Sequence, residues 1–251
     1  MRDAYLIAMN ELRVTIRNPF WAVSSLFQPI IYLLLFGPLL NGVAASRGLP
    51  GGDNAVQFFA PGLLVMNALF AAGFEGFTLR DKLDSGFIER LRVTPISRLA
   101  LTMGFILQSA INLIIQSIAL IVCGAFFGLH FDIGGSILLV LLIVLIGITM
   151  SSISFRLALI IREGGILAGI VNTFVLPAMI LSGIMLPISF GPPIIQFIAK
   201  FDPFLYAVDA SRALINGAIG DPSVWMAFAI FIALSVITLG VFIRGMREAV
   251  A

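Results

Sequence analysis

Residues 80–98 read "RDKLDSGFIERLRVTPISR". Eight of these nineteen are charged: Arg80, Asp81, Lys82, Asp84, Glu89, Arg90, Arg92 and Arg98. The whole chain of 251 residues has only fifteen basic and thirteen acidic side chains. Inside the charged stretch lies a small apolar island. Phe87, Ile88 and Leu91 stand at i, i+1 and i+4, so they share one face of a helix, and Glu89, Arg90 and Arg92 take the rest. Thr94-Pro95 follows, a polar N-cap and a proline first turn for the next helix. A short helix therefore stops, and a long one starts, at a fixed corner. The island reads either as a plug for a groove on a soluble partner or as an amphipathic turn lying on a membrane.

On either side of this stretch the chain is apolar. It is 60% hydrophobic and 11% charged, with mean hydropathy +1.09. A soluble domain is about half apolar and about a quarter charged. Several runs approach the ~20 residues needed to cross a bilayer. The chain reads as one all-α polytopic membrane domain over 1–251. Six spans are expected, near 21–42, 56–77, 99–128, 135–157, 165–187 and 224–243. The third is longer than a bilayer requires and should tilt or protrude.

Basic residues set the orientation. An even number of spans puts both termini on one side. That side would hold twelve of the fifteen basic residues, including Arg2, Arg13, Arg17, Arg156, Arg162, Arg244 and Arg247 besides those of 80–98. Only Arg47, Lys200 and Arg212 fall on the other. Both termini and segment 78–98 are thus expected in the cytoplasm, and the protein in the cytoplasmic membrane. Residues 1–19 carry Tyr5, Met9, Leu12 and Ile16 at helical spacing opposite Asp3, Asn10, Arg13 and Arg17. This pattern suits an amphipathic helix in the lipid headgroup region. Pro19 turns the chain into the bilayer. A cleaved leader is disfavoured, because the run from Trp21 to Leu40 is longer than a signal core.

The outer segment 188–223 is nearly as apolar as the spans. Asp202-Pro203 marks a helix start. Phe204, Val208 and Ile215 follow on one face, Asp209 and Arg212 form a polar pair three apart, and Gly217 or Gly220 ends the helix. Pro193 to Phe201 is too short to cross. Two short helices dipping back into the outer leaflet are expected, tolerated where protein buries their ends.

Within the third span Gln108, Asn112 and Gln116 stand four apart, flanked by Ser109 and Ser117. Such a stripe faces protein or a cavity rather than lipid. It serves either as interhelical hydrogen bonding or as the polar lining of a substrate path. Gln28, Tyr32, Met66, Asn67 and Phe70 are further candidates for that lining. Gly165 and Gly169 suggest close helix packing. Glu75 and Arg156 lie near span ends, from which both can reach the interface.

Several chemistries are excluded. The only lysines, Lys82 and Lys200, are followed by Leu83 and Phe201, so there is no G-x-x-x-x-G-K-[ST] loop and no ATPase site of that kind. HExxH and GxSxG are absent. A lone Cys123 and a lone His130 exclude a Cys/His zinc site, and no other metal site is expected. A net charge of +2 gives no reason to expect nucleic acid. The span centres carry almost no charge, unlike transporters driven by ion gradients. If the chain transports, its energy should come from a partner gripping 78–98. Otherwise it is a scaffold that recruits a soluble protein through the same segment.

"SGFIERLRVTPISR" resembles the cytoplasmic signature of the type-2 ABC transporter permeases, exporters of drugs, lipids and polysaccharides. "LSGIMLPIS…FDPFLYAVDASRALINGAI" resembles the second signature of that family. The leading amphipathic helix, "RNP", six spans and the place of the first signature between spans two and three fit as well. The look is nearest the daunorubicin-type drug exporter branch. The resemblance implies a permease subunit without its own catalytic site, paired with a second copy of itself in membrane lipid. Two copies of a separate P-loop ATP-binding subunit would carry ATP and Mg. It implies a coupling helix over 85–94, carried by Gly86, Glu89, Arg90, Leu91, Thr94 and Pro95 with Phe87 and Ile88. It also implies re-entrant outer helices with Pro187, Pro203, Tyr206, Asp209, Arg212 and Gly217 at motif positions. The substrate would be a hydrophobic or amphipathic compound; a polysaccharide or glycolipid is the alternative.

Overall fold

A computed structural model describes residues 27, 30–35, 55–86, 98–161, 163–184 and 187–249. The leading helix over 1–19, most of the first expected span and the coupling residues Phe87 to Pro95 lie outside the described residues, as does Gln28. The described residues contain helix and no strand. Residues 30–35 are helical. Then come α1 (Ala55–Gly73), α2 (Glu75–Asp84), α3 (Arg98–Phe126), α4 (Ile133–Ile160), α5 (Gly164–Leu181), a 3₁₀ turn (Ile188–Phe190), α6 (Pro193–Ala199), α7 (Pro203–Ile215) and α8 (Pro222–Ala249). Five stretches are long and apolar enough to cross a membrane: Val56–Asp84, Leu99–Phe126, Ile133–Ile160, Gly164–Leu181 and Pro222–Glu248. They correspond to the second through sixth expected spans.

Two boundaries differ from expectation. The second span does not end near residue 77. Its helix breaks at Phe74 and resumes as α2 through Asp84. The fifth ends at Leu181 rather than near 187, because Gly183 takes a left-handed φ of +71°. The third span, at 29 residues, extends about 43 Å at 1.5 Å per residue. That exceeds the ~30 Å hydrocarbon core, as its sequence implied.

The centre of the bundle is α4. Its span has a mean hydropathy of 2.7, and it packs against α8, α1, α3, α2 and α7. A helix apolar all round is either buried in protein or spans a membrane. Small residues on α4 let its neighbours come close: Gly135, Gly147, Ser151, Ser152 and Ser154 are all buried. A Cβ on Gly147 would collide with Leu113 of α3, and one on Gly135 with the Leu214 carbonyl of α7. Aromatic rings complete the core, with Phe155 of α4 between Phe105 of α3 and Phe242 of α8, at 5.8 and 5.2 Å. By contrast α5 is peripheral. Its Ile166, Phe174, Leu176 and Ile180 are exposed, which suits lipid or another protein chain rather than water.

Candidate functional site

Three constellations stand out along the bundle. The first lies at the end rich in arginine, at the break between α1 and α2. A broken helix leaves backbone groups without intrahelical partners, and inside a bilayer these must be satisfied by protein. Here the Ser154 hydroxyl of α4 accepts the Gly76 N–H at 2.9 Å and donates to the Gly73 carbonyl. Gly76 has to be glycine. A Cβ there would lie 2.5 Å from the Ser154 carbonyl oxygen. From the break, α2 runs to Ser85 and then to Gly86, whose φ of +69° stops the helix. Gly86 is the one coupling-segment candidate among the described residues; Phe87, Ile88, Glu89, Arg90, Leu91, Thr94 and Pro95 fall beyond them. Arg80 and Asp84 form an i,i+4 ion pair along α2. Glu75, the first residue of α2, is half-buried with a carboxylate oxygen turned into the bundle, rather than reaching outward. Arg156 does reach the end of the bundle. It meets Glu248 at 3.4 Å over Gly245, where a Cβ would strike the guanidinium.

The second constellation lies between α1 and α3. Asn67 is 6% exposed, and its amide donates to Gln116 Oε1 at 2.8 Å. Met66 beside it is fully buried. Gln108 and Asn112, further along the same stripe, are half-buried. The expected stripe thus meets α1 at one of its three members through an interhelical hydrogen bond. Phe70 belongs to an aromatic ladder with Phe74 and Phe77, at 6.3 and 5.8 Å with rings nearly parallel. Tyr32 packs half-buried against the core.

At the opposite end, α7 forms a cap. Asp202 accepts the Phe204 N–H at 3.0 Å and Pro203 fills the first turn, as the sequence implied. Pro187 precedes the 3₁₀ turn. Tyr206 donates to the Lys200 carbonyl at 3.0 Å, closing the corner between α6 and α7. Gly217, with φ +76°, lies just past the C-cap Asn216 and leaves room for Asp132. Arg212 ties the cap to the bundle. It donates to the Gly183 carbonyl at 2.8 Å and the Phe58 carbonyl at 3.4 Å, lies over the Phe58 ring at 3.8 Å, and faces Asp209 at 3.7 Å. Burial pushes the Asp209 carboxyl up and the Arg212 guanidinium down to about 10, each offset by the other's charge. Burial also raises Asp202 to about 6, against the lowering effect of the Phe204 N–H. The paired groups Asp209 and Arg212 open onto a shallow pocket of ≈ 470 Å³ shared with Asn216, Asp221 and Ser223.

Sequence reasoning missed two elements. One is the Ser154 plug. Its only local trace is "SSIS" (151–154) inside an apolar span, with Gly73 and Gly76 three apart elsewhere. The other is Gln57, which exchanges two hydrogen bonds with the His130 backbone, at 2.7 and 2.9 Å, and donates to Asn216 at 2.9 Å. It sews α1, the short α3–α4 loop and the cap together. No pattern around Gln57 signals this.

Comparison with known proteins agrees with the architecture. Residues 3–216 match the family model described as "ABC-2 type transporter". The transport permease ycf38 of Cyanophora paradoxa is 29% identical over 202 residues, covering 79% of this chain and 69% of that protein. The ycf38 permease of Porphyra purpurea is 27% identical, covering 78% and 68%. Nodulation protein J of Azorhizobium caulinodans is 26% identical, covering 77% and 75%. A match spanning most of the chain, including the first stretch that resembles a family signature and all but the last three residues of the second, places this protein in the ABC-2 type transporter family as a membrane permease, whose membership implies an ATP-binding partner subunit.

Proposed function

We propose that the chain is the permease subunit of an ATP-driven exporter that moves a hydrophobic or amphipathic compound out across the cytoplasmic membrane. The observation that carries this reading is the family match over residues 3–216. The charge distribution supports it: the basic residues gather at one end of the bundle, which is then cytoplasmic. Both termini lie there. In this reading Phe87, Ile88 and Leu91 seat in a groove of a separate P-loop subunit, flanked by Gly86, Glu89 and Arg90, and Thr94-Pro95 forms the corner into α3. ATP and Mg belong to that subunit. Two permease chains and two ATP-binding chains make the complex. α6 and α7, held by Arg212, cap the outer end. The path runs by Met66, Asn67, Phe70 and the stripe of Gln108, Asn112 and Gln116. ATP-driven closure of the partner shifts the permease only through contacts that differ between its two states.

The test begins with co-purification of the chain with a candidate P-loop ATP-binding subunit from the same organism. ATP hydrolysis by the complex in proteoliposomes is then measured with ethidium, a fluorescent short-chain phosphatidylcholine, or a lipid-linked oligosaccharide. Stimulation by either of the first two is the expected result. Stimulation by the oligosaccharide alone moves the substrate class to polysaccharide. Failure of any ATP-binding subunit to associate would leave a recruiting scaffold in place of an exporter.

A further inference from the structure

We propose that α2 is a lever held to α4 by Ser154, so that motion of the docking segment passes into the centre of the bundle through this hydroxyl. The inference rests on the reading that segment 78–98 docks an ATP-binding partner. Four observations carry it. The second span is two helices, not one, with the break at Phe74 between Gly73 and Gly76. The break is closed from another helix: Ser154 bonds the last carbonyl of α1 and an early amide of α2 at once. Backbones also touch here, because Gly76 has no room for a Cβ against Ser154. Finally, α2 packs along α4, and α4 touches most of the other helices.

These facts decide where a push travels. A continuous helix would carry displacement of Gly86 straight along α1. A broken one can hinge at Phe74, and α2 then follows whatever it is fastened to. Its fastening is α4. Ser154 touches no substrate; it is a positioning residue. Its bridging hydroxyl also makes the break tolerable in lipid, where unpaired amides and carbonyls are costly.

The experiment uses the full chain in complex with its ATP-binding subunit in nanodiscs, with Cys123→Ala and spin labels at Thr78→Cys of α2 and Ile153→Cys of α4. Both labelled side chains are exposed. Labelled chains are diluted into unlabelled ones, and the distance is measured nucleotide-free and with ATP–vanadate. With Ser154 present, the distance should be the same in both states. With Ser154→Ala it should shift between them, and stimulation of hydrolysis by an exported probe should fall about tenfold, the size of a typical coupling term. Ser154→Gly also removes the hydroxyl, adds no thiol, and should behave like Ala. A shift in the parent chain overturns the lever, as does no shift in either variant. If Ser154→Ala fails to assemble, Ser154→Gly and the parent distance decide. If no ATP-binding subunit co-purifies with the parent chain, the exporter reading falls and takes the lever with it. If one does and the parent distance shifts, only the lever falls.

Discussion

Arg212 and Phe58 are 154 positions apart, yet the guanidinium of one lies 3.8 Å over the ring of the other. The same side chain holds the carbonyls of Phe58 and Gly183. One residue thus fastens α7 to the start of α1 and the end of α5. Planar, weakly hydrated guanidinium suits such a site, since it can stack on a ring and donate in a fixed fork at once. Gly183 matters here because its left-handed turn ends α5 beside the cap.

Removing that fastening should loosen the cap. Arg212→Ala leaves two carbonyls without this donor and is expected to cost about 2 kcal/mol, the range for hydrogen bonds to charged groups. Arg212→Lys keeps the charge but not the fork, so it should recover only part. Thermal unfolding of purified protein in detergent measures both. An Arg212→Ala variant with unchanged Tm would show that the cap is held by α7's apolar face alone.

Asp202 gives a pH dependence with a definite sign. Burial raises its folded pKa from 3.8 to about 6, so between these values the folded state holds more protons than the unfolded. Stability then falls as pH rises through that window. Asp202→Asn keeps the cap, since Asn is as good an N-cap, and removes the titration. The variant should match the parent near pH 4 and exceed it at pH 7 in Tm. Parallel Tm profiles from pH 4 to 7 would refute the burial of this carboxylate.

How much of this was written locally in the chain can be argued from particular residues. α7 was legible because Asp202, Pro203 and Gly217 act on their own backbone, and cap chemistry is local. The five spans were legible because a bilayer demands length and apolarity. The break at Phe74 was not. Its closing bond comes from Ser154, 78 positions beyond Gly76, and a glycine pair inside an apolar run does not announce a break. Arg212 and Asp209 were found as a pair, but the fold's use of Arg212 depends on two carbonyls distant in sequence. The Gln116 stripe was found, whereas its partner Asn67 was named only as a candidate for the lining of the path.

The Asn67–Gln116 bond should behave as an interhelical pair in lipid. Double-mutant cycles on such bonds give about 0.6 kcal/mol. Asn67→Ala and Gln116→Ala should each destabilise, and their sum should exceed the double variant by roughly that coupling. Purely additive losses in Tm would place the two side chains out of contact.

Gly165 and Gly169 pose the last question. Their spacing suggested close packing, yet no side chain or backbone of another described helix approaches either one. A Cβ on Gly169 would meet nothing within 4 Å, and one on Gly165 only Glu163 at 4.0 Å. Along the same helix Ile166, Phe174 and Leu176 are also exposed. Small residues on an open helix face admit the backbone of another helix, and the proposed two-chain complex would supply a second copy of the chain as the occupant. Gly169→Leu should therefore leave the fold of one chain intact, because no described residue stands in its way, while it pushes two chains apart. Circular dichroism and monomer Tm should stay as in the parent. The mass of the detergent-solubilised permease by light scattering should fall from two chains to one, and hydrolysis by the assembled complex should drop with it. Gly240→Ala on α8 serves as the control: it too meets nothing within 4 Å, and Ala in a helix interior gains up to about 1 kcal/mol over Gly. A two-chain mass retained by Gly169→Leu would mean that α5 faces lipid and that the copies meet elsewhere.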